Sequence, residues 1–141
     1  MLTETQFFGW QIVYDRETTV NAYQADPEHC ACAYCRNFAL ASKTLPDAYY
    51  QFLHELGIDP DKVAEAVEYY RNPDGSHYYG WWFHVVGNIQ TGPLVEKTYV
   101  ADKIQVLFKT EKHLVMASFP EPVIQVEFFT NLPWLLKEAN I

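Results

Sequence analysis

The stretch NPDGSHYYGWWFHVV, residues 72–86, decides the fold of this chain. Its first four residues predict a hairpin turn, in which the proline fixes φ and Gly75 takes the left-handed position. A hairpin needs a strand on each side. Residues 62–71 fit a helix as well as a strand, so the turn favours a strand from about Glu65. Both faces of the following strand, residues 76–86, are apolar, and we expect it to be central and covered on both sides.

Further strands are indicated on either side of this hairpin. Residues 7–14 have the composition of a strand, and we expect a weaker one around residues 18–23 to pair with it. Three more strands are predicted over 104–109, 113–118 and 123–130. The short turns between these three require antiparallel neighbours.

Helices are predicted before the hairpin and after the last strand. Residues 32–43 repeat their apolar side chains at helical spacing. A second helix has Pro46 at its first position and Gly57 as its left-handed cap. A short final helix is expected from Pro133, with Asn131 as its cap.

Together these elements predict an α+β fold in a single domain over residues 1–141. We expect an antiparallel, mostly meandering sheet of six or seven strands, arranged as a sandwich or a half-barrel. A helical hairpin is inserted at about residues 30–58. A chain of 141 residues can bury a core that needs neither a disulfide nor a metal.

Charge and hydropathy exclude several classes of partner. The net charge is −8, with ten basic and eighteen acidic residues, so we expect no nucleic-acid partner. No apolar run approaches the roughly 20 residues of a membrane helix. Residues 1–6 lack the features of a signal peptide, which predicts a cytoplasmic location where thiols stay reduced. Nothing in the sequence selects an oligomeric state.

All three cysteines lie in the stretch HCACAYC, residues 29–35. Cys32 and Cys35 have the spacing of a zinc knuckle, and Cys30 can add a third thiolate. Structural zinc takes four ligands. His84 is the preferred fourth ligand, because it lies on the central strand that the inserted helices are expected to cover. The predicted zinc site is therefore Cys30, Cys32, Cys35 and His84.

Two other interpretations of the cysteines stay open. A Cys-x-x-Cys pair at the start of a helix can carry out thiol–disulfide chemistry, although the strand that precedes it in thioredoxin-like proteins is absent. The cysteines can also be ordinary core residues, because free cysteine packs like a small hydrophobic residue. For the fourth metal ligand, His77 and His113 are alternatives to His84.

The leading functional hypothesis is a non-enzymatic binding or interaction domain with a structural metal. The alternative is a small enzyme or ligand-binding protein with a pocket beside the aromatic strand 78–86, where His84 acts as an acid or base. An exposed Trp81 or Trp82 would favour that pocket, whereas a packed strand indicates core. The sequence contains neither a Gly-rich phosphate loop nor a nucleophile elbow.

Four phrases of the sequence also suggest a family. They are CACAYCRNF at residue 30, LGIDP at residue 56, YGWWFHVVG at residue 79 and FFTNLPWLL at residue 128. With them the chain resembles a small family of uncharacterised bacterial proteins, a domain of unknown function with a CxCxxCRNF motif. The resemblance extends from about Cys30 to Leu136. It implies a cytosolic bacterial domain with a loop and then a strand after residue 60, and it supplies no catalytic residue.

Overall fold

The computed structural model describes residues 1–141, and its centre is one open, seven-stranded antiparallel sheet. The strands are β1 (Leu2–Phe7), β2 (Trp10–Asp15), β3 (Glu65–Arg71), β4 (His77–Thr91), β5 (Tyr99–Ala101), β6 (Ile104–Lys109) and β7 (Val123–Leu132). The predicted α+β class with an antiparallel, meandering sheet is confirmed. So is the hairpin of β3 and β4, which turns at Gly75 with φ of 90°.

The longest strand, β4, is central as predicted, and three other strands pair with it. Residues 77–86 of β4 pair with β7, residues 77–82 with β3 and residues 87–91 with β2. Residues 83–86 of β4 lie between the segment that pairs with β3 and the segment that pairs with β2, and they pair with neither strand. The polar backbone groups there need other partners, because an unpaired buried group is costly.

A short helix, α1 (Arg16–Ala22), and the residue after it supply those partners. The Tyr23 hydroxyl donates to the carbonyl oxygen of His84 at 2.7 Å and accepts from its backbone N–H at 2.9 Å. The Thr19 hydroxyl accepts from the backbone N–H of Val86 at 3.0 Å. Side chains of the α1 region thus complete the sheet between β3 and β2.

The two predicted helices of the insertion are present as α2 (Ala33–Ala41), followed by a 3₁₀ turn over Ser42–Thr44, and α3 (Asp47–Leu56). Trp81 of β4 is completely buried against them. Its indole N–H donates to the Tyr49 hydroxyl at 2.9 Å, and the Phe38 ring lies 5.2 Å away. Trp81 is therefore core, whereas Trp82 on the other face is partly buried and donates its indole N–H to the carbonyl oxygen of His113 at 3.1 Å. None of the helices has the length and the apolar surface that crossing a bilayer requires.

The predicted pairing of strand 7–14 with strand 18–23 is wrong. The chain turns earlier, at Phe8 and Gly9, where φ is 52° and 91°, and this turn separates β1 from β2. Residues 16–22 form α1 because Asp15 caps it: the Asp15 carboxylate accepts from the backbone N–H of Thr18 at 3.0 Å.

Residues 113–118 form a loop instead of the predicted strand. Leu114 has a φ of 59°, a left-handed conformation that a strand cannot contain. The loop is held at both ends by side chains. The backbone N–H of His113 donates to Gln125 Oε1 at 2.7 Å, and the Ser118 hydroxyl donates to the carbonyl oxygen of Ala22 at 2.7 Å.

The predicted C-terminal helix is absent as well. Residues 133–141, which we call the C-terminal strap, form a segment without regular secondary structure. A helix this short is not stable on its own. The backbone N–H groups of Leu135 and Leu136 instead donate to the side chain of Asn37, at 2.7 Å and 3.3 Å. Contact with α2 therefore decides the conformation of the strap.

Candidate metal centre

The three cysteines lie where the loop after α1 enters α2. Cys32 is the N-cap of α2, and its Sγ accepts from the backbone N–H of Cys35 at 3.5 Å. The backbone N–H of Cys32 in turn donates to the Sγ of Cys30 at 3.5 Å. These two local contacts fold the chain so that the three sulfur atoms approach one another.

The sulfur atoms of Cys30, Cys32 and Cys35 all lie within 4.8 Å of one another. Zinc–sulfur bonds of about 2.3 Å at tetrahedral angles place sulfur atoms about 3.8 Å apart. A bound zinc ion would therefore hold the sulfur atoms up to about 1 Å closer together. Cys30 and Cys32 are exposed and Cys35 is partly buried. The interpretation of the cysteines as ordinary core residues is therefore wrong for Cys30 and Cys32.

The position of each thiol affects its protonation. The pKa of Cys32 is lowered, mainly because the backbone N–H of Cys35 donates to its sulfur. Burial raises the pKa of Cys35, and the neighbouring sulfurs of Cys30 and Cys32 raise it further. Crowded thiolates repel one another, and a bound cation offsets that repulsion because it binds the deprotonated form.

Two cavities adjoin the cluster, and we call their combined space the cysteine cleft. Cys30 and Cys35 line the first, of about 260 Å³, which lies between α2 and residues 60–66. Cys30 also lines the second, of about 740 Å³, whose other wall is the loop 114–118. Cys30 thus stands at the border between them. Both cavities are lined by Glu28, His29, Cys30, Ala64 and Glu65.

The structure does not bring His84 to the cysteines, and no histidine or carboxylate joins the sulfur group. Side chains alternate along β4, so Trp81 and Phe83 face the helices whereas His84 points to the opposite side. There its side chain is 2% exposed, its Nε2 lies 3.1 Å from Gln125 Oε1 and its ring lies against Phe119.

This enclosure contradicts both roles predicted for His84. The imidazole does not reach the sulfurs, so it is not their fourth ligand. It is also closed off from solvent, so it cannot act on a substrate as an acid or base. Burial also lowers its pKa to about 4, so it is neutral near pH 7. His77, an alternative ligand, is buried too, with its Nδ1 2.7 Å from Glu68 Oε2 and its Nε2 bonded to Asn140.

Two residues directly after Cys35 fix the cysteine-bearing helix in place, and apart from their place in the CxCxxCRNF motif no local pattern predicts this role. The guanidinium of Arg36 donates to both carboxylate oxygens of Glu138 in the strap, and its Nε donates to the carbonyl oxygen of Ala31 at 3.0 Å. Asn37, which helical spacing places off the apolar face, is completely buried and bonds to three backbone groups of the strap. These partners lie about 100 residues away along the chain, beyond the reach of any local pattern.

No model of a known family, no curated protein and no solved structure gives a significant match to this chain. The resemblance to a bacterial family of unknown function therefore stays a prediction, and so does the cytoplasmic location. The functional argument rests on the geometry of the cysteines, in an α+β protein with a thiol cluster at the start of one helix.

Proposed function

We propose that this protein binds one zinc ion through Cys30, Cys32 and Cys35. The observation that supports the proposal is the approach of three sulfur atoms to within 4.8 Å of one another. Thiolates are soft ligands that favour zinc over magnesium or calcium, and the Cys32–Cys35 spacing suits a single ion. The exposure of Cys30 and Cys32 gives an ion access from solvent.

The role we propose is that of a non-enzymatic binding or interaction domain. Two observations favour this role over the alternative of an enzyme beside the aromatic strand. Tyr79, Trp81 and Phe83 of β4 belong to the core, and His84 is enclosed by Gln125 and Phe119. The group of side chains that could hold a metal, the three cysteines, lies at the cysteine cleft instead.

The metal is not needed to build the core in this proposal. A single cluster of 27 buried hydrophobic residues forms the core, and none of the cysteines belongs to it. Zinc then stabilises the protein by binding the folded state, with a gain of about 2.7 kcal/mol when free zinc exceeds its dissociation constant about 100-fold. Chelation should loosen the first turn of α2 and leave the sheet folded.

Metal analysis of the protein, purified without chelator, tests the proposal. We expect about one zinc per chain, and weaker retention against a chromogenic chelator in each of the variants Cys30→Ser, Cys32→Ser and Cys35→Ser. His84→Gln is the control and should retain zinc like the unmodified protein. A protein that takes up no zinc, or that keeps it after all three substitutions, would overturn the proposal. If the metal-free protein instead forms a reversible Cys32–Cys35 disulfide, the thiol–disulfide interpretation gains support.

A further inference from the structure

The cysteine cluster offers one ligand fewer than zinc takes. Zinc in structural sites has four protein ligands, whereas sites with three protein ligands leave the fourth position to water or an external molecule. The only group of metal-ligating side chains in this protein is the three cysteines, with no histidine, aspartate or glutamate among them. The fourth ligand therefore has to come from outside the cluster.

The cysteine cleft provides a route to that position. Cys30 and Cys35 line its smaller cavity, of about 260 Å³, and Cys30 also borders the larger one, of about 740 Å³. Each is many times larger than the roughly 30 Å³ that one water molecule takes in the liquid. A molecule with a ring or a short side chain can therefore reach an ion held by the sulfurs.

The charge around the cleft selects against an anionic ligand. Three thiolates on a divalent ion already leave a net charge of about −1. Glu28 and Glu65 line both cavities and belong to no ion pair. The basic residues near the cleft are already neutralised by acidic partners: Arg36 by Glu138, Lys43 by Asp61 at 3.0 Å, and Lys62 by Asp26 at 3.2 Å.

The wall opposite the cysteines is apolar and suits a ring. Residues 114–117, Leu-Val-Met-Ala, form it, and the side chain of Leu114 is 62% exposed. Among the donors that zinc accepts, water and a neutral imidazole add no charge, and of these two only imidazole has a ring that can pack against this wall. A carboxylate or a hydroxide would add a second negative charge next to Glu28 and Glu65.

From this geometry we infer that the fourth zinc ligand is a neutral imidazole, free or on the histidine of a partner, which enters through the cysteine cleft. The inference rests on the proposed zinc binding.

Cobalt(II), which replaces zinc and has visible absorption bands, is the probe. We expect the loaded protein to show thiolate-to-cobalt charge transfer, and its visible bands to shift saturably with added imidazole. Acetate should bind at least about tenfold more weakly, because of charge repulsion in the cleft. A blocked Gly-His-Gly peptide distinguishes the two sources: tighter binding than imidazole favours a histidine side chain of a partner, and equal or weaker binding favours a small molecule.

The possible failures are separable. If cobalt gives no thiolate charge-transfer band, the proposed zinc site itself is refuted. If that band is present but the visible bands ignore imidazole, or respond equally to acetate, only the external imidazole is refuted. The variants His29→Ala and Glu65→Gln test for a ligand from this chain. We expect the visible bands to persist in both, with a smaller imidazole-to-acetate preference in Glu65→Gln. A changed spectrum in either variant before imidazole is added would overturn the inference.

Discussion

The substitution Asn37→Ala tests how the cysteine-bearing helix is held. Asn37 is completely buried, and its side chain bonds to three backbone groups of the C-terminal strap: it accepts from Leu135 and Leu136 and donates to the carbonyl oxygen of Pro133 at 3.1 Å. Alanine removes all three hydrogen bonds to the strap at once, together with a longer one from Asn37 Nδ2 to the Tyr79 hydroxyl at 3.4 Å. The start of the strap should then loosen from α2, because no other side chain bonds these groups, whereas Arg36 still holds Glu138 and His77 still holds Asn140.

The expected loss follows from these bonds. Each hydrogen bond contributes about 1 kcal/mol net, so three contribute about 3 kcal/mol. Alanine also favours the helix over asparagine by about 0.6 kcal/mol. The three backbone groups can reach water once this part of the strap loosens, so no further desolvation penalty applies. We expect a decrease of about 2–3 kcal/mol in the free energy of unfolding.

Urea unfolding followed by circular dichroism measures the loss, and hydrogen exchange locates it. The amides of Leu135 and Leu136 should lose their protection in Asn37→Ala. Leu40→Ala is the matched control, because Leu40 lies on the same helix with a side chain that is 45% exposed, and it should change stability by less than about 0.5 kcal/mol. An Asn37→Ala protein as stable as this control, with both amides still protected, would refute the anchoring role.

Three further predictions concern the sheet. Because burial holds the pKa of His84 at about 4, below the unfolded value of about 6.5, the unfolded state binds more protons in acid. The contribution of neutral His84 to stability is therefore complete above about pH 6.5, and the free energy of unfolding should fall by roughly 2–3 kcal/mol on acidification from about pH 7 to about pH 4.5. Urea titrations at the two pH values should find a smaller decrease in His84→Gln. Tyr23→Phe leaves the backbone N–H and carbonyl of His84 without partners; a loss of about 2–3 kcal/mol in urea unfolding is expected, and an unchanged midpoint would argue against the bridge. Gly87→Ala would place a Cβ 2.8 Å from the Cα of Tyr14 and push β2 away. The thermal midpoint should fall by an amount equivalent to about 2 kcal/mol or more. In the control Gly92→Ala the new Cβ would meet nothing closer than 3.7 Å, so this variant should melt like the unmodified protein.

The parts of the fold that the sequence predicts correctly are those with local causes. The turn before β4 carries its own proline and glycine, and α3 carries Pro46 at its start and Gly57 at its end. The errors lie where a distant contact decides. The strap is irregular because Asn37 binds its backbone. The loop 113–118 is held by the side chain of Gln125 at one end and by the backbone of Ala22 at the other.

The candidate site shows the same division. Cys30, Cys32 and Cys35 are close in sequence, and two backbone hydrogen bonds within the motif suffice to bring their sulfurs together. The fourth position was misassigned to His84 because the sequence shows two apolar faces on β4 without showing which one the helices cover. One residue of register exchanges the two faces of a strand. Trp81 lies on the face of β4 that the helices cover, and His84 therefore lies on the opposite face.

X-ray absorption spectroscopy at the zinc edge tests the central claim most directly. For the zinc-loaded protein we predict a first shell of three sulfur atoms at about 2.3 Å and one nitrogen or oxygen at about 2.0–2.1 Å. A first shell made only of nitrogen and oxygen atoms would show that zinc binds elsewhere and would contradict the thiolate site.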